Sequence, residues 1–313
     1  MATIRALTIA LGLGATFGLS ANALAQETYI PLISKGFQHQ FWQAVKQGAE
    51  QAGKDLKVKV SFEGPETEAM VDKQIDMLSA ALAKKPKAIG FAALDSKAAI
   101  PLLKKAQAAN IPVVAFDSGV DSDIPVTTAT TDNKAAAALA ADKMAELIGK
   151  SGEVAVVAHD QTSRTGIDRV EGFTQRMKST YPNIKVVSVQ YGGGDHLKST
   201  EITKSILQAS PNLKGMFGAN EGSAIGVLNG AKEMKRKIVV IGYDSGKLQK
   251  DAIRNGTMAG AITQNPVGIG YKTVEAAVKA LKGEKLPKII DTGFYWYDKS
   301  NISDPKIAAV LYD

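Results

Sequence analysis

Short apolar runs alternate with amphipathic stretches along almost the whole chain, and most of the apolar runs end on a polar side chain. That alternation is the signature of a doubly wound parallel sheet. The first unit sets the pattern. Tyr29 to Ser34 alternates and is apolar enough for a buried strand. Gly36 permits a turn, and from Gln38 the spacing becomes helical, with Phe41, Ala44, Val45 and Gly48 on one face. Strands are predicted next over Leu56–Phe62, Lys87–Phe91 and Val113–Phe116, with helices Glu68–Lys84 and Ser96–Ala109 between them and Ser96 as a cap. The pattern then restarts with a helix from Thr131-Asp132 to Ile148. Strands follow over Glu153–Ala158, Lys185–Gln190, Lys214–Gly218, Ile238–Tyr243 and Met258–Thr263. Their helices are Ser163–Thr180, His196–Gln208, Ser223–Met234, Leu248–Asn255 and Pro266–Leu281. One last strand is expected over Ile289–Tyr297, and a short helix in the tail. The fold class is therefore α/β, with two successive runs suggesting two lobes. No sequence repeat relates them and no Pro- or Ser-rich linker parts them, so several short crossings are expected to join them.

Met1 to Ala25 reads as a secretion signal: Arg5 gives the positive start, Ala6–Leu19 the apolar centre and Ala23-Leu24-Ala25 the small residues for cleavage. The apolar part is short of the roughly 20 residues a membrane span needs. Gly12, Gly14 and Gly18 lie inside this segment and lack the spacing of a dinucleotide loop. There is no cysteine, which excludes disulfides, thiolate metal sites, cysteine nucleophiles and a lipid anchor on a cysteine at the cleavage site. A secreted chain without that anchor is expected in a periplasm. The net charge of +7 is spread along the chain. Its densest cluster, Lys232 to Lys237, falls at a predicted helix end, where cations complement the dipole. No basic run is interleaved with aromatics, so no nucleic-acid partner is expected.

In open parallel sheets, ligands bind outside the carboxyl ends of the strands. Lys35, His39, Asp95, Asp117, Asp160, Asn220, Glu221, Asp244 and Gln264 all stand at predicted strand ends, and Arg169 lies on the helix after Asp160. Carboxylates, amides and a guanidinium suit the alternating hydroxyls of a sugar. Phe41 and Trp42 beside Lys35 and His39 offer a flat apolar cover for a ring. Enzyme signatures are weaker. His39, His159 and His196 show no metal spacing, and His159 reads as an ordinary strand-end residue. No nucleophile elbow occurs, and Gly192-Gly193-Gly194 lacks the rest of a phosphate loop and reads as a flexible turn. The pair Asp117 and Asp244 leaves glycoside cleavage open, since spacing in sequence does not give the separation of two carboxylates. A periplasmic carbohydrate-processing hydrolase is thus the alternative to a binding protein.

Several ordered segments resemble the periplasmic sugar-binding proteins of ABC importers, the ribose-binding-protein type, over nearly all of the mature chain. Phe41 to Ala49 resembles the paired-aromatic helix start that stacks on the sugar, and Ile111 to Asp117 the Ile-Pro-Val strand ending in a sugar-binding Asp. Arg169-Val170-Glu171-Gly172-Phe173 resembles the segment whose Arg binds ring or hydroxyl oxygen. Phe217 to Glu221 resembles the segment with a binding Asn followed by an acid. Ile241 to Asp244 resembles the Gly-Phe-Asp strand end, and Ala261 to Gln264 the last binding Gln next to a hinge. The effector domain of a lactose-repressor-type regulator shares this fold, but it needs a helix-turn-helix where this chain has its signal.

The resemblance implies two doubly wound parallel-sheet lobes joined by three hinge crossings, near Thr131, Gln264 and Asp291, with a ligand cleft between them. It divides the chain into residues 26–131 with 265–291, and 132–264 with 292–313. The ligand-binding set it implies is Lys35, His39, Phe41, Trp42, Asp117, Ser118, Arg169, Asn220, Glu221, Asp244 and Gln264. The expected partners are a small carbohydrate and an inner-membrane ABC permease. A monomer without metal or cofactor is expected. Simple-sugar members often carry Ser or Asn where this chain has Lys35 and His39, an Arg where it has Ser118, and an aromatic near Gly194. Those departures admit two ligand classes: a charged sugar or sugar–amino acid conjugate, or a neutral hexose if Lys35 pairs with an acid.

Overall fold

The computed structural model describes residues 28–313, so the expected secretion signal lies outside the described residues. The apolar runs form two six-stranded sheets. The first contains β1 (Tyr29–Ile33), β2 (Lys59–Glu63), β3 (Ile89–Phe91), β4 (Val113–Phe116), β5 (Thr127–Thr130) and β11 (Ile289–Asp291), in the order β11-β5-β4-β3-β1-β2 and all parallel. The second contains β6 (Gly152–Ala158), β7 (Ile184–Tyr191), β8 (Leu213–Gly218), β9 (Val239–Tyr243), β10 (Gly260–Gln264) and β12 (Phe294–Tyr297), in the order β12-β10-β9-β8-β6-β7. Only β12 runs antiparallel, against β10. The two orders match strand for strand, so β4 and β9 occupy equivalent places.

Helices α1 (Gln40–Leu56), α2 (Val71–Ala83), α3 (Ile100–Ala108) and α9 (Pro266–Leu281) cover the first sheet; α4 (Asn133–Leu147), α5 (Arg164–Thr180), α6 (His196–Ala209), α7 (Glu221–Glu233) and α8 (Lys247–Arg254) cover the second. The central strands of each sheet are buried on both faces. Ile30, Leu32, Val114 and Phe116 pack toward α1 and α9, while Ile33, Ile89, Phe91 and Val113 pack toward α2 and α3. Strands buried on both sides must be apolar throughout, which is why they stand out in the sequence. The chain passes between the sheets three times: from β5 to α4, from β10 to α9 and from β11 to β12. Two of these passages touch, since Thr292 N donates to Thr130 O at 2.9 Å.

Several predicted elements are corrected. The strand β5 is missed in the sequence because Thr127-Thr128-Ala129-Thr130 is polar, yet Thr127 and Ala129 are buried. The single strand expected over Ile289–Tyr297 is two strands, broken at Thr292-Gly293, where Gly293 has φ 79°. The helix α1 runs on to Leu56 and ends at Lys57 with φ 54°, so β2 begins later than predicted. The start of α2 is Val71 rather than Glu68, and that of α3 is Ile100 rather than Ser96. Ser96 does not cap α3; its hydroxyl donates to Asp121 at 2.9 Å. α7 starts at Glu221 rather than Ser223, with Asn220 as its cap. The two halves also share a local repeat: Asp117-Ser118-Gly119 ends β4 and Asp244-Ser245-Gly246 ends β9.

The first lobe is completed only when α9 returns to it. A Cβ on Gly48 of α1 would stand 1.9 Å from the Val267 carbonyl oxygen, and one on Gly270 of α9 would stand 1.9 Å from that of Val45. Each helix thus lays backbone against backbone at the other's glycine, with Val45, Ala49, Ile269 and Val274 sealing the contact. Gly48→Val must force the helices apart, and overpacking of this kind costs about 1–3 kcal/mol. Urea unfolding is expected to show that loss, and an unchanged midpoint would contradict the close crossing.

Candidate functional site

The carboxyl ends of the two sheets face each other across a small cavity lined by side chains from both. The first lobe contributes Lys35, His39, Phe41, Trp42, Glu68 and Asp117; the second contributes His159, Thr165, Arg169, Asn220 and Asp244, with Gln264 at a crossing. Most of the predicted binding residues are therefore brought together. Two are not in the wall. The Ser118 hydroxyl is buried without a partner among the described residues, in a tight turn where Ser118 N donates back to Phe116 O at 2.6 Å. The Glu221 carboxylate reaches instead to the amide nitrogens of Gln40 and Phe41, each at 3.2 Å. Among the other strand-end residues, Asp95 accepts from the N–H groups of Lys97 and Ala98, and Asp160 sits behind Lys35 at 3.9 Å.

Three wall residues are absent from the predicted binding set, His159 among them although the sequence reads it as an ordinary strand-end residue. Glu68 lies in the loop before α2, and its Oε1 accepts from the Trp42 indole N–H at 2.7 Å. That loop follows a strand end, the same rule that finds the others. His159 directly follows β6 and by that rule belongs to the wall; it is bonded to Thr165 Oγ1 at 3.1 Å. Thr165 carries no sequence signal of its own.

The local geometry of each wall residue has a cause. Asp117 and Asp244, at equivalent strand ends, have φ 54° and 78°. This left-handed turn, tolerated by Asp better than by most residues, ends each strand at the cleft. Asn220 caps α7 through Oδ1 to Ser223 N at 2.9 Å, leaving its NH₂ group for the cleft. Arg169 is held from behind: Nε donates to Asn133 Oδ1 at 2.8 Å, Nη1 to Ala219 O at 2.9 Å, and the guanidinium lies 3.8 Å from the Tyr243 ring centre. Trp42 stands edge-on to Phe41 and Phe116, with ring centres 5.0 and 6.4 Å apart. Its indole is thus a braced part of the wall. Lys35 crosses to the second lobe, where Nζ donates to Thr165 Oγ1 at 3.1 Å and Ser163 Oγ at 3.4 Å. Ser163 caps α5, whose positive end disfavours a cation; Asp160 beside it offsets that.

Burial pushes the Asp117 carboxyl up to about 6, against the pull of Lys35 and Arg169. Burial likewise raises Asp244, whose carboxylate accepts from Gln264 Nε2 at 2.8 Å and Glu221 N at 3.0 Å. Burial acts to raise Glu68 too, but the charge of Lys35 foremost holds it below the usual carboxylate range. Burial, reinforced by Lys35, drives His159 well below the ordinary imidazole value, so it is neutral at pH 7. The ring nitrogens of His39, the Oε1 of Gln264 and the Nδ1 of His159 have no hydrogen-bond partner among the described residues. The cavity therefore presents donors and acceptors in all directions around a small volume, with Phe41 and Trp42 as its apolar patch. Among the described residues no cluster of three or more His, Asp or Glu is placed to hold a metal ion.

The sequence matches the family described as periplasmic binding protein domain over residues 30–285. The ribose import binding protein of Escherichia coli (strain K12) is 29% identical over 291 residues, 91% of this chain and 95% of that protein. A solute-binding protein of an ABC transporter from Agrobacterium vitis, bound with α-D-tagatopyranose, is 31% identical with a TM-score of 0.88, covering 92% of this chain and 100% of that one. A carbohydrate transporter solute-binding protein from Agrobacterium radiobacter, in complex with D-arabinose, is 34% identical with a TM-score of 0.88, covering 92% and 99%.

Asp117 gives a test that needs no ligand. A carboxyl that titrates near 6 when folded and at its ordinary 3.8 when unfolded favours the folded state at low pH. That contribution is lost as pH rises through 6. Asp117→Asn removes the dependence, so relative to the native chain it should gain about 2 kcal/mol between about pH 4 and pH 7.5. Urea titrations at the two pH values measure this; an equal difference at both would contradict the buried carboxyl.

Proposed function

The chain belongs to the periplasmic sugar-binding proteins of ABC importers, of the ribose-binding type, and from that membership and the cleft we propose that it captures a neutral monosaccharide by closing its lobes and delivers it to an inner-membrane permease. The observation that carries the reading is the small cavity walled by polar groups of both lobes. The extra cation favours a neutral ligand, because Lys35 is already engaged by Thr165, Ser163 and Asp160. In this reading the Asp117 carboxylate accepts two hydroxyl protons, and Arg169 donates to a ring or hydroxyl oxygen. Asn220 and Gln264 add amide contacts, and Phe41 with Trp42 covers the C–H face. Asp117 and Arg169 stand on different lobes, so one ring bridging them favours closure about the crossings. The protein acts in the periplasm as a monomer without cofactor, and the permease distinguishes closed from open.

The sugar is released unchanged. Glycoside cleavage needs two working carboxylates, and Asp244 is held by Gln264 and the Glu221 amide. A thermal-shift panel of D-ribose, D-arabinose, D-tagatose, D-glucose, D-glucuronate and fructosyl-lysine tests the ligand class. A neutral sugar is expected to raise the midpoint, since a ligand selective for the native state stabilises it. Tight binding of only the charged compounds would overturn the assignment. Asp117→Ala and Arg169→Ala should each weaken the bound sugar by about ten- to hundred-fold in calorimetry, the loss of a buried bond to a charged group. Unchanged affinity in both would mean the sugar sits elsewhere.

A further inference from the structure

Glu221 begins α7 in the second lobe, yet its carboxylate caps a helix of the first. Oε1 accepts from Gln40 N and Oε2 from Phe41 N, both at 3.2 Å. These are the first two amides of α1, whose own cap residue, His39, makes no side-chain bond to them. Helix N-termini leave such N–H groups without partners, and a carboxylate suits their positive end. The favour is returned. Gln40 Oε1 accepts from Lys247 N at 2.7 Å, the first amide of α8 in the second lobe, where the cap residue is Gly246. A Cβ on Gly246 would stand 2.8 Å from both Gln40 Oε1 and Glu221 Oε1, so only glycine leaves both acceptors their room. Tyr312, near the chain's end, completes the junction. Its hydroxyl donates to Glu221 Oε2 at 3.3 Å and accepts from Ser245 N at 3.1 Å, and its ring stands edge-on to Phe41 at 6.1 Å.

We infer that this reciprocal helix capping is a clasp that stabilises the closed lobes independently of the sugar, with Glu221 a positioning residue outside the wall. Neither the Glu221 carboxylate nor the Gln40 amide lines the cavity. When the lobes part, Gln40 N, Phe41 N and Lys247 N all lose their acceptors, so the clasp distinguishes closed from open, as any bias on that equilibrium must. A ligand that binds only the closed form has an apparent Kd inversely proportional to the closed fraction. Weakening the clasp therefore raises Kd by one common factor for every sugar, whereas a residue touching the ring would reorder the sugars. This consequence for affinity rests on the sugar-binding reading; the clasp itself does not.

The chain has no cysteine, so Thr67→Cys and Lys198→Cys, exposed residues on opposite sides of the cleft mouth, can carry a spin-label pair. Without sugar, the labelled protein is expected to show a short-distance population that Glu221→Ala and Gln40→Ala each deplete. Calorimetry with the neutral sugars of the panel should show a Kd increase of about tenfold for Glu221→Ala, equal among sugars, and a smaller one for Gln40→Ala. Gln40 is half-buried, so its variant keeps the test alive should Glu221→Ala fail to fold. Sugar-free distances untouched by both substitutions, or Kd changes that differ from sugar to sugar, would overturn the clasp. Variants that shift the sugar-free distances while no sugar alters them would uphold the clasp and contradict the sugar-binding reading instead.

Discussion

Lys35, Glu68, Asp117, Arg169 and Asp244 are all nearly removed from solvent at the junction of the two sheets. Burying charge is costly unless each charge meets an opposite one and further hydrogen bonds. The arrangement of this cleft follows from that constraint. Lys35 leans on hydroxyls and a carboxylate of the opposite lobe, and Arg169 is bonded from behind by Asn133 and Ala219. Asp244 is bonded by Gln264 and the Glu221 amide. Asp117 is the exception: no described side chain donates to it, and burial holds its carboxyl well above the ordinary range. A group left in that state is the natural acceptor for hydroxyls brought by a ligand.

The two lobes approach this site by the same construction. Their strand orders match, and each ends its fourth strand on Asp-Ser-Gly with the Asp in a left-handed turn. Similar turns serve different ends. Asp117 keeps its carboxylate free, whereas Asp244 uses its own to order Gln264 and the start of α7, which in turn presents Asn220 inward and Glu221 across the cleft. Adjacent residues of the chain thus face the cavity and the opposite lobe.

Much of this is legible in the sequence. Buried parallel strands must be apolar throughout, so their ends are visible, and the rule that ligands sit beyond those ends finds Lys35, Asp117, Asn220, Asp244 and Gln264 together. What it does not find has physical reasons. The strand β5 is built from threonines and lies near the sheet's edge, where partial exposure permits polar residues. Glu68 falls in a stretch whose helical spacing extends backward from α2, and nothing local says that this loop folds over Trp42. Ser118 stands at a strand end like its neighbours, but a turn removes it from the wall. Glu221 is found at the cleft without its purpose, because the amide of Phe41 that it caps lies 180 positions away. A strand end announces that a side chain reaches the cleft; it does not announce which lobe's atoms meet it there.

A crystal structure of the protein with the neutral monosaccharide that stabilises it most would test the central claim directly. The account predicts an intact ring inside the cavity, with hydroxyl oxygens within hydrogen-bond distance of the Asp117 carboxylate and the Arg169 guanidinium and both lobes closed around it. A sugar bound away from those two residues, a cleft open around it, or a cleaved product in its place would contradict it.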